Sequence, residues 1–321
     1  MIYLIAIDPC RTLRNSIASP LLRLPAELRN YIWALAFGNR TVHPRIQCPN
    51  LFVYWLDYKP SPIYYKPCVE ILSDIDVYRL SVEGASVTER FEWKARAMAV
   101  GRTGTSGYHH CVYSPNEDNE EPNQCPTLLV PLVCKQLHRE ANPVAWKTIV
   151  FAFHFADDFY HFVRASWTRV DLVSQLCVIQ DDMHHLAIHR HNKKWQRALN
   201  ASHLAKFTSL KGVSLVLRSD DFRTNPMPFH LSLDVVAHPP RLFPILPLFI
   251  RQFQKCSLKE EYTTVLLPGH PEERNGKQDY LLDPAFTVCQ RREMAEAIRS
   301  RLLDYRPMAA KPINKTRDRF N

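Results

Sequence analysis

The densest set of side chains with chemical capability is "DDMHHLAIHRH", Asp181 to His191. On a helix, His185 and His189 would stand one turn apart on the same face, the spacing used by two-histidine metal sites. A zinc protease helix needs a glutamate between its histidines, and here the intervening residues are Leu186, Ala187 and Ile188. The sequence supplies no third ligand, so the stretch reads as a polar connection and no metal or other cofactor is implied. "GRTGTSG", from Gly101 to Gly107, has the glycines of a phosphate loop but neither the lysine nor the helix that follows one. A G-x-S-x-G nucleophile elbow is absent. Cys134 falls on the apolar stripe of its segment, where a thiol packs rather than reacts. These residues predict a protein that is not an enzyme.

Composition bounds the rest. The chain has 321 residues, 46% of them hydrophobic and 11% aromatic, enough to bury a substantial core. It has only 8 glycines, little material for backbone cradles around phosphates or oxyanions. Nine cysteines, at 10, 48, 68, 111, 125, 134, 177, 256 and 289, include no C-x-x-C pair. With the short apolar start "MIYLIAI" meeting Asp8, they predict a reduced protein of the cytoplasm or nucleus. No apolar run approaches the length that spans a bilayer, so no membrane partner is expected. Net charge is +9, and residues 290–321 carry nine Lys/Arg against four Asp/Glu. A basic end of this kind attracts nucleic acid or an acidic partner, or is simply solvated.

The elements follow from periodicity. Pro25 suits the first position of a helix, Glu27 its first turn, and Gly38 a left-handed cap at its end. Leu28, Ile32 and Leu35 recur at helical spacing with Tyr31 and Trp33 beside them. Five apolar residues, Leu24, Leu28, Ile32, Trp33 and Leu35, are too many for one helix face. The sequence reading turns Leu28 and Leu35 to the core and leaves Leu24, Pro25 and the Ile32/Trp33 side for a partner. Residues 41–126 form a variable insert whose "DVYRLSVEGASVTERFEWKARAMAV" reads as a β-hairpin. A helix from about Pro131 ends or kinks at Asn142-Pro143. In "TIVFAFHF" Ile149, Phe151, Phe153 and Phe155 alternate as a half-buried strand, and Asp157 is the expected cap of the next helix. Strands at "SQLCVIQ", "GVSLVLR" and "YTTVLLP" alternate with helices at "KKWQRALNASHLAKF", "RLFPILPLFIRQFQKC" and "CQRREMAEAIRSRLLDY". This rhythm predicts an α/β fold on a mostly parallel sheet, with α+β as the alternative. The expected organisation is a variable segment 1–18, a domain over 19–305, and a basic flexible tail at 306–321.

Two separated stretches carry a family resemblance. "LLRLPAELRNYIWALAFGNRTVHP" and "LLVPLVCKQLHREANPVAWKTIVFAF" together resemble fungal F-box-like proteins, closest to the family called domain of unknown function 7730. They are also similar to the related two-EXR group, whose first E-x-R would be Glu27-Leu28-Arg29. Leu24, Pro25, Glu27, Arg29, Ile32, Arg40, Cys134, Lys135, Gln136, Glu140 and Ala141 sit at matching positions. The resemblance covers roughly residues 19–218. It implies F-box-like N-terminal helices and a protein-interaction role, as a substrate receptor of a cullin ubiquitin ligase docked on a Skp1-type adaptor. Leu24, Pro25, Glu27, Ile32 and Trp33 are the expected partner-binding residues. The alternative expectation is a basic protein that associates with nucleic acid through its C-terminal tail.

Overall fold

In the computed structural model, six strands form one sheet in the order β2-β1-β3-β4-β5-β6: Thr41–Ile46 (β1), Ile63–Pro67 (β2), Val150–Phe153 (β3), Gln175–Asp181 (β4), Gly212–Arg218 (β5) and Thr264–Leu266 (β6). The structure describes residues 19–38, 40–46, 63–68, 130, 135–181, 188–218, 245–267 and 288–306. The β-hairpin expected in the insert, the loop with "GRTGTSG", Cys134, and the tail beyond residue 306 lie outside them.

From β1 to β6 all neighbouring pairs are parallel, while β2 joins the β1 edge antiparallel. The fold is therefore α/β. Each parallel connection steps one strand further in the same direction. Right-handed crossovers then deliver every connecting helix to the same sheet face. These are α2 (Lys135–Thr148), α3 (Ala156–Arg164), α4 (Ile188–Ala198) with the short α5 (Ala201–Leu204), and α6 (Leu246–Phe253). Helix α1 (Ala26–Phe37) packs on α2, and α7 (Val288–Leu303) on α6 and β6. Doubly wound sheets open a ligand crevice where the strand order reverses. Among the described strands the order reverses at β1, which has β2 on one side and β3 on the other, but β2 runs antiparallel to β1 and is not part of a parallel crossover.

The main core lies between that face and the helices. Phe151, Phe153, Leu176, Val178, Val213 and Leu215 meet Trp146, Phe159, Phe162, Trp195 and Phe249. The opposite face carries Ala152, Cys177, Ser214 and Thr264 in one row across four strands, all buried. The Ser214 and Thr264 hydroxyls satisfy one another at 2.8 Å.

Four local expectations are corrected. Pro143 lies inside α2 and does not end it. The helix forgoes one backbone bond there, offset by the burial of Ala141, Ala145 and Trp146 on its inner face. The alternation after β3 stops at Phe153: the chain turns at His154, and Phe155 becomes the N-terminal flank of α3, 37% exposed beneath the Arg45 guanidinium. Asp157 is accordingly not the cap; it lies within the first turn of α3 and pairs with Lys194 at 2.6 Å. Gly38 does not take the left-handed conformation. Its requirement is space, because a Cβ there would lie 1.9 Å from Thr148 Oγ1 and 2.8 Å from the Ala34 carbonyl.

Asp158 ties α3 to the end of β1. Its carboxylate accepts the Ile46 N–H at 3.2 Å and lies 3.7 Å from the Arg45 guanidinium. Burial pushes the Asp158 carboxyl up to about 7, against the pull of Arg45 and the Ile46 amide. A folded pKa above the unfolded one means that this group's contribution is fully present below the ordinary aspartate pKa. It is lost as pH rises through about 7. Asp158→Asn, which keeps an acceptor for Ile46, removes that dependence. The melting temperature of the variant relative to the parent should therefore rise from pH 5 to pH 8. A constant difference would show that Asp158 does not titrate in this range.

Candidate functional site

Helix α1 begins after Pro25, whose φ of −51° is set by its own ring, and it closes with the Gly38 N–H on the Ala34 carbonyl. Its sequence is apolar nearly all round, so tertiary contacts decide which side faces inward. Arg29 decides it here. Its guanidinium grips Glu140 of α2 through two bonds, Nε to Oε2 at 2.8 Å and Nη2 to Oε1 at 3.2 Å. Nη1 also donates to the carbonyls of Leu22 and Leu24, fixing the turn that leads into the helix. Gln136 adds a third bond to Glu140 at 3.2 Å. Burial pushes the Glu140 carboxyl up. The bonds from Arg29 and Gln136 and the Arg29 charge outweigh it, so Glu140 titrates below the usual range. The Trp33 indole N–H helps hold this charge without forming a hydrogen bond of normal geometry.

Trp33 sits one turn beyond Arg29 on the same side and is only 3% exposed, packed with Phe37 at 6.0 Å. Leu28 lies roughly 140° around the helix from Trp33. It faces water at 51%, with Tyr31 at 65% and Leu35 at 62%. The orientation is thus the reverse of the one expected from sequence. Leu28 and Leu35 are outside, Trp33 is inside, and Ile32 is half-buried against the core. Of the five expected partner-binding residues, Pro25 and Glu27 are exposed, Leu24 and Ile32 are half-buried, and Trp33 is buried. Tyr31, which sequence reasoning used only to widen the stripe, is the most exposed large apolar residue of the helix.

The two stretches behind the family resemblance are therefore one physical unit. Arg29 and Glu140, 111 residues apart, are bonded, and Ala141 is fully buried beside them. What they assemble is a rigid seat for α1, leaving Leu28, Tyr31 and Leu35 as an apolar stripe at i, i+3 and i+7.

The histidine pair does not form a site among the described residues. His185 lies outside them, and His189 falls on α4 with its side chain outside the description. Among the described residues, no group of three or more His, Cys, Asp or Glu is placed to hold a metal ion. None of the described helices is long and apolar enough to cross a membrane. Comparison with family models, with curated proteins and with solved structures finds no match for the chain.

Proposed function

We propose that the chain is a non-enzymatic protein-interaction module that docks a partner on the outer stripe of α1. The reading is that of an F-box-like substrate receptor seated on the Skp1-type adaptor of a cullin ubiquitin ligase. The observation that carries it is the exposure of Leu28, Tyr31 and Leu35 on a helix whose other side is already fixed by Trp33 and the Arg29–Glu140 bonds. Large apolar side chains aligned over two turns are the anchors of helix-in-groove recognition. The net charge of +9 favours an acidic partner.

The test is direct binding of the full chain to a purified Skp1-type adaptor by calorimetry. Leu28→Ser combined with Leu35→Ser should weaken binding by about tenfold or more, the loss expected for paired apolar anchors. The melting temperature should barely move, because both side chains already stand in water. A parent that does not bind the adaptor, or a variant that binds equally well, removes this reading.

A further inference from the structure

We propose that the ridge between α3 and α4 carries an anion site that takes a phosphomonoester through Arg164, Arg197 and the Tyr160 hydroxyl. The site lies away from α1 and does not rest on the docking stripe.

Both guanidiniums converge on one phenol. Arg197 Nη2 donates to the Tyr160 oxygen at 2.8 Å, and Arg164 Nη1 donates to the same atom. Each cation also lies against the Tyr160 ring, 4.4 Å from its centroid for Arg197 and 5.1 Å for Arg164. A phenol oxygen has two lone pairs and one O–H. With both lone pairs taken, the O–H is left to donate outward. Every group presented here is then a donor: one hydroxyl and the remaining guanidinium N–H bonds.

Among the described residues neither arginine pairs with a carboxylate, whereas Arg29, Arg169, Arg299 and Arg306 all do. Asp157, one turn earlier on α3, is engaged by Lys194. Burial lowers the His161 pKa, with Arg164 and Arg197 adding to the effect and Asp157 opposing it. Burial would raise the Tyr160 pKa, but the two guanidinium bonds and charges bring it below the usual tyrosine value. Two cations held around one neutral oxygen repel each other, and a bound anion relieves that repulsion.

The geometry selects the anion. The donors converge on a single point, which suits one phosphoryl group carrying a charge of about −2 with three acceptor oxygens. A nucleic-acid strand spreads single charges along its length and needs a row of cations beside open stacking faces. Here the aromatic face is already occupied by arginine. The ring contacts also hold both guanidiniums in place before a ligand arrives, so less side-chain entropy is lost on binding.

The experiment titrates the full chain by calorimetry with four probes. They are a neutral peptide bearing one phosphoserine, its unphosphorylated twin, inorganic phosphate and a single-stranded oligothymidylate. The phosphopeptide and inorganic phosphate should bind, and the twin should not. Tighter binding of the phosphopeptide assigns the site to a modified protein side chain; equal binding assigns it to small phosphates, and both support the site. Arg164→Gln and Arg197→Gln should each weaken binding by about tenfold, the loss of a charge-assisted hydrogen bond. Tyr160→Phe, which keeps the ring and removes the hydroxyl, should weaken it severalfold. Arg169→Gln, at an arginine paired with Asp171, should leave it unchanged. The variants should melt with the parent, since both arginine side chains are exposed. Absence of binding to either phosphate probe overturns the site, as does binding insensitive to both arginines. Oligothymidylate binding tighter than either phosphate probe and lost in the same variants overturns it in favour of nucleic acid.

Discussion

Replacing Trp33 with alanine is expected to cost about 3–5 kcal/mol, the range for removing a buried aromatic side chain. Leu28→Ala on the same helix should stay within about 0.5 kcal/mol, as an exposed substitution does. The difference arises from the Arg29–Glu140 attachment. With that attachment holding the helix, Trp33 fills the space between α1 and α2 and stands over the Glu140 carboxylate. Removing the indole leaves a cavity and weakens the environment that keeps Glu140 charged. A domain of this kind has a net stability of about 5–15 kcal/mol, so the loss is a large part of the total. Denaturant unfolding of the two variants, with Glu140→Gln beside them, reads all three effects. Glu140→Gln should also destabilise, because it leaves the half-buried Arg29 guanidinium without its carboxylate. If Trp33→Ala and Leu28→Ala lose equal stability, the helix is turned differently from the way it is described above.

The same helix shows where sequence reading works and where it stops. The existence and limits of α1 are local facts: a proline at the entry, helical spacing, and a glycine at the exit. The structure moves the start by a single residue, to Ala26. The side that faces inward is not a local fact. Leu28, Tyr31, Ile32, Trp33 and Leu35 surround the axis, and hydrophobicity alone cannot rank them. The ranking comes from Glu140, 111 positions away, and a single sequence does not reveal that bond. Gly38 was legible as a helix terminator for the wrong reason, because the clash that excludes a side chain involves Thr148 on another helix.

Strands β3, β4, β5 and β6 were legible because they are short apolar runs bounded by polar or turn residues. Strand β2 was not, since "IYYKP" has no clear alternation and is defined by its pairing with β1. For helix α2 the sequence leaves two outcomes at Pro143, an end or a kink; the helix does not end there, because the burial of Trp146 favours the following turn beyond what local propensity shows. The arginine pair around Tyr160 was invisible for a simpler reason. Arg164 and Arg197 lie on different helices, and only the packing of α3 on α4 brings them to one oxygen.

A second large effect is expected at Phe153, with Phe155 as its control. Along the sequence the two are equivalent members of an alternating run. In the structure the run breaks between them. Phe153 ends β3, 1% exposed, with edge-on contacts to Phe159 and Phe162, each at 5.1 Å. It joins the sheet to α3, and Phe162 extends the contact to Phe151 at 5.2 Å and Trp146 at 5.9 Å. Phe155 lies past the turn at His154, where its ring carries the Arg45 guanidinium 5.3 Å from its centroid. Phe153→Ala should therefore cost about 3–5 kcal/mol, a large part of a net stability of about 5–15 kcal/mol. Phe155→Ala forfeits an exposed cation–π contact and partial burial, about 0.5–1 kcal/mol. Urea unfolding followed by circular dichroism separates the two cases. Equal losses at both positions would mean that the strand runs on through Phe155 and that α3 begins later. Displacing the start of α3 would also move Asp158 and Tyr160, so this pair tests the frame on which both the β1 attachment and the anion site depend.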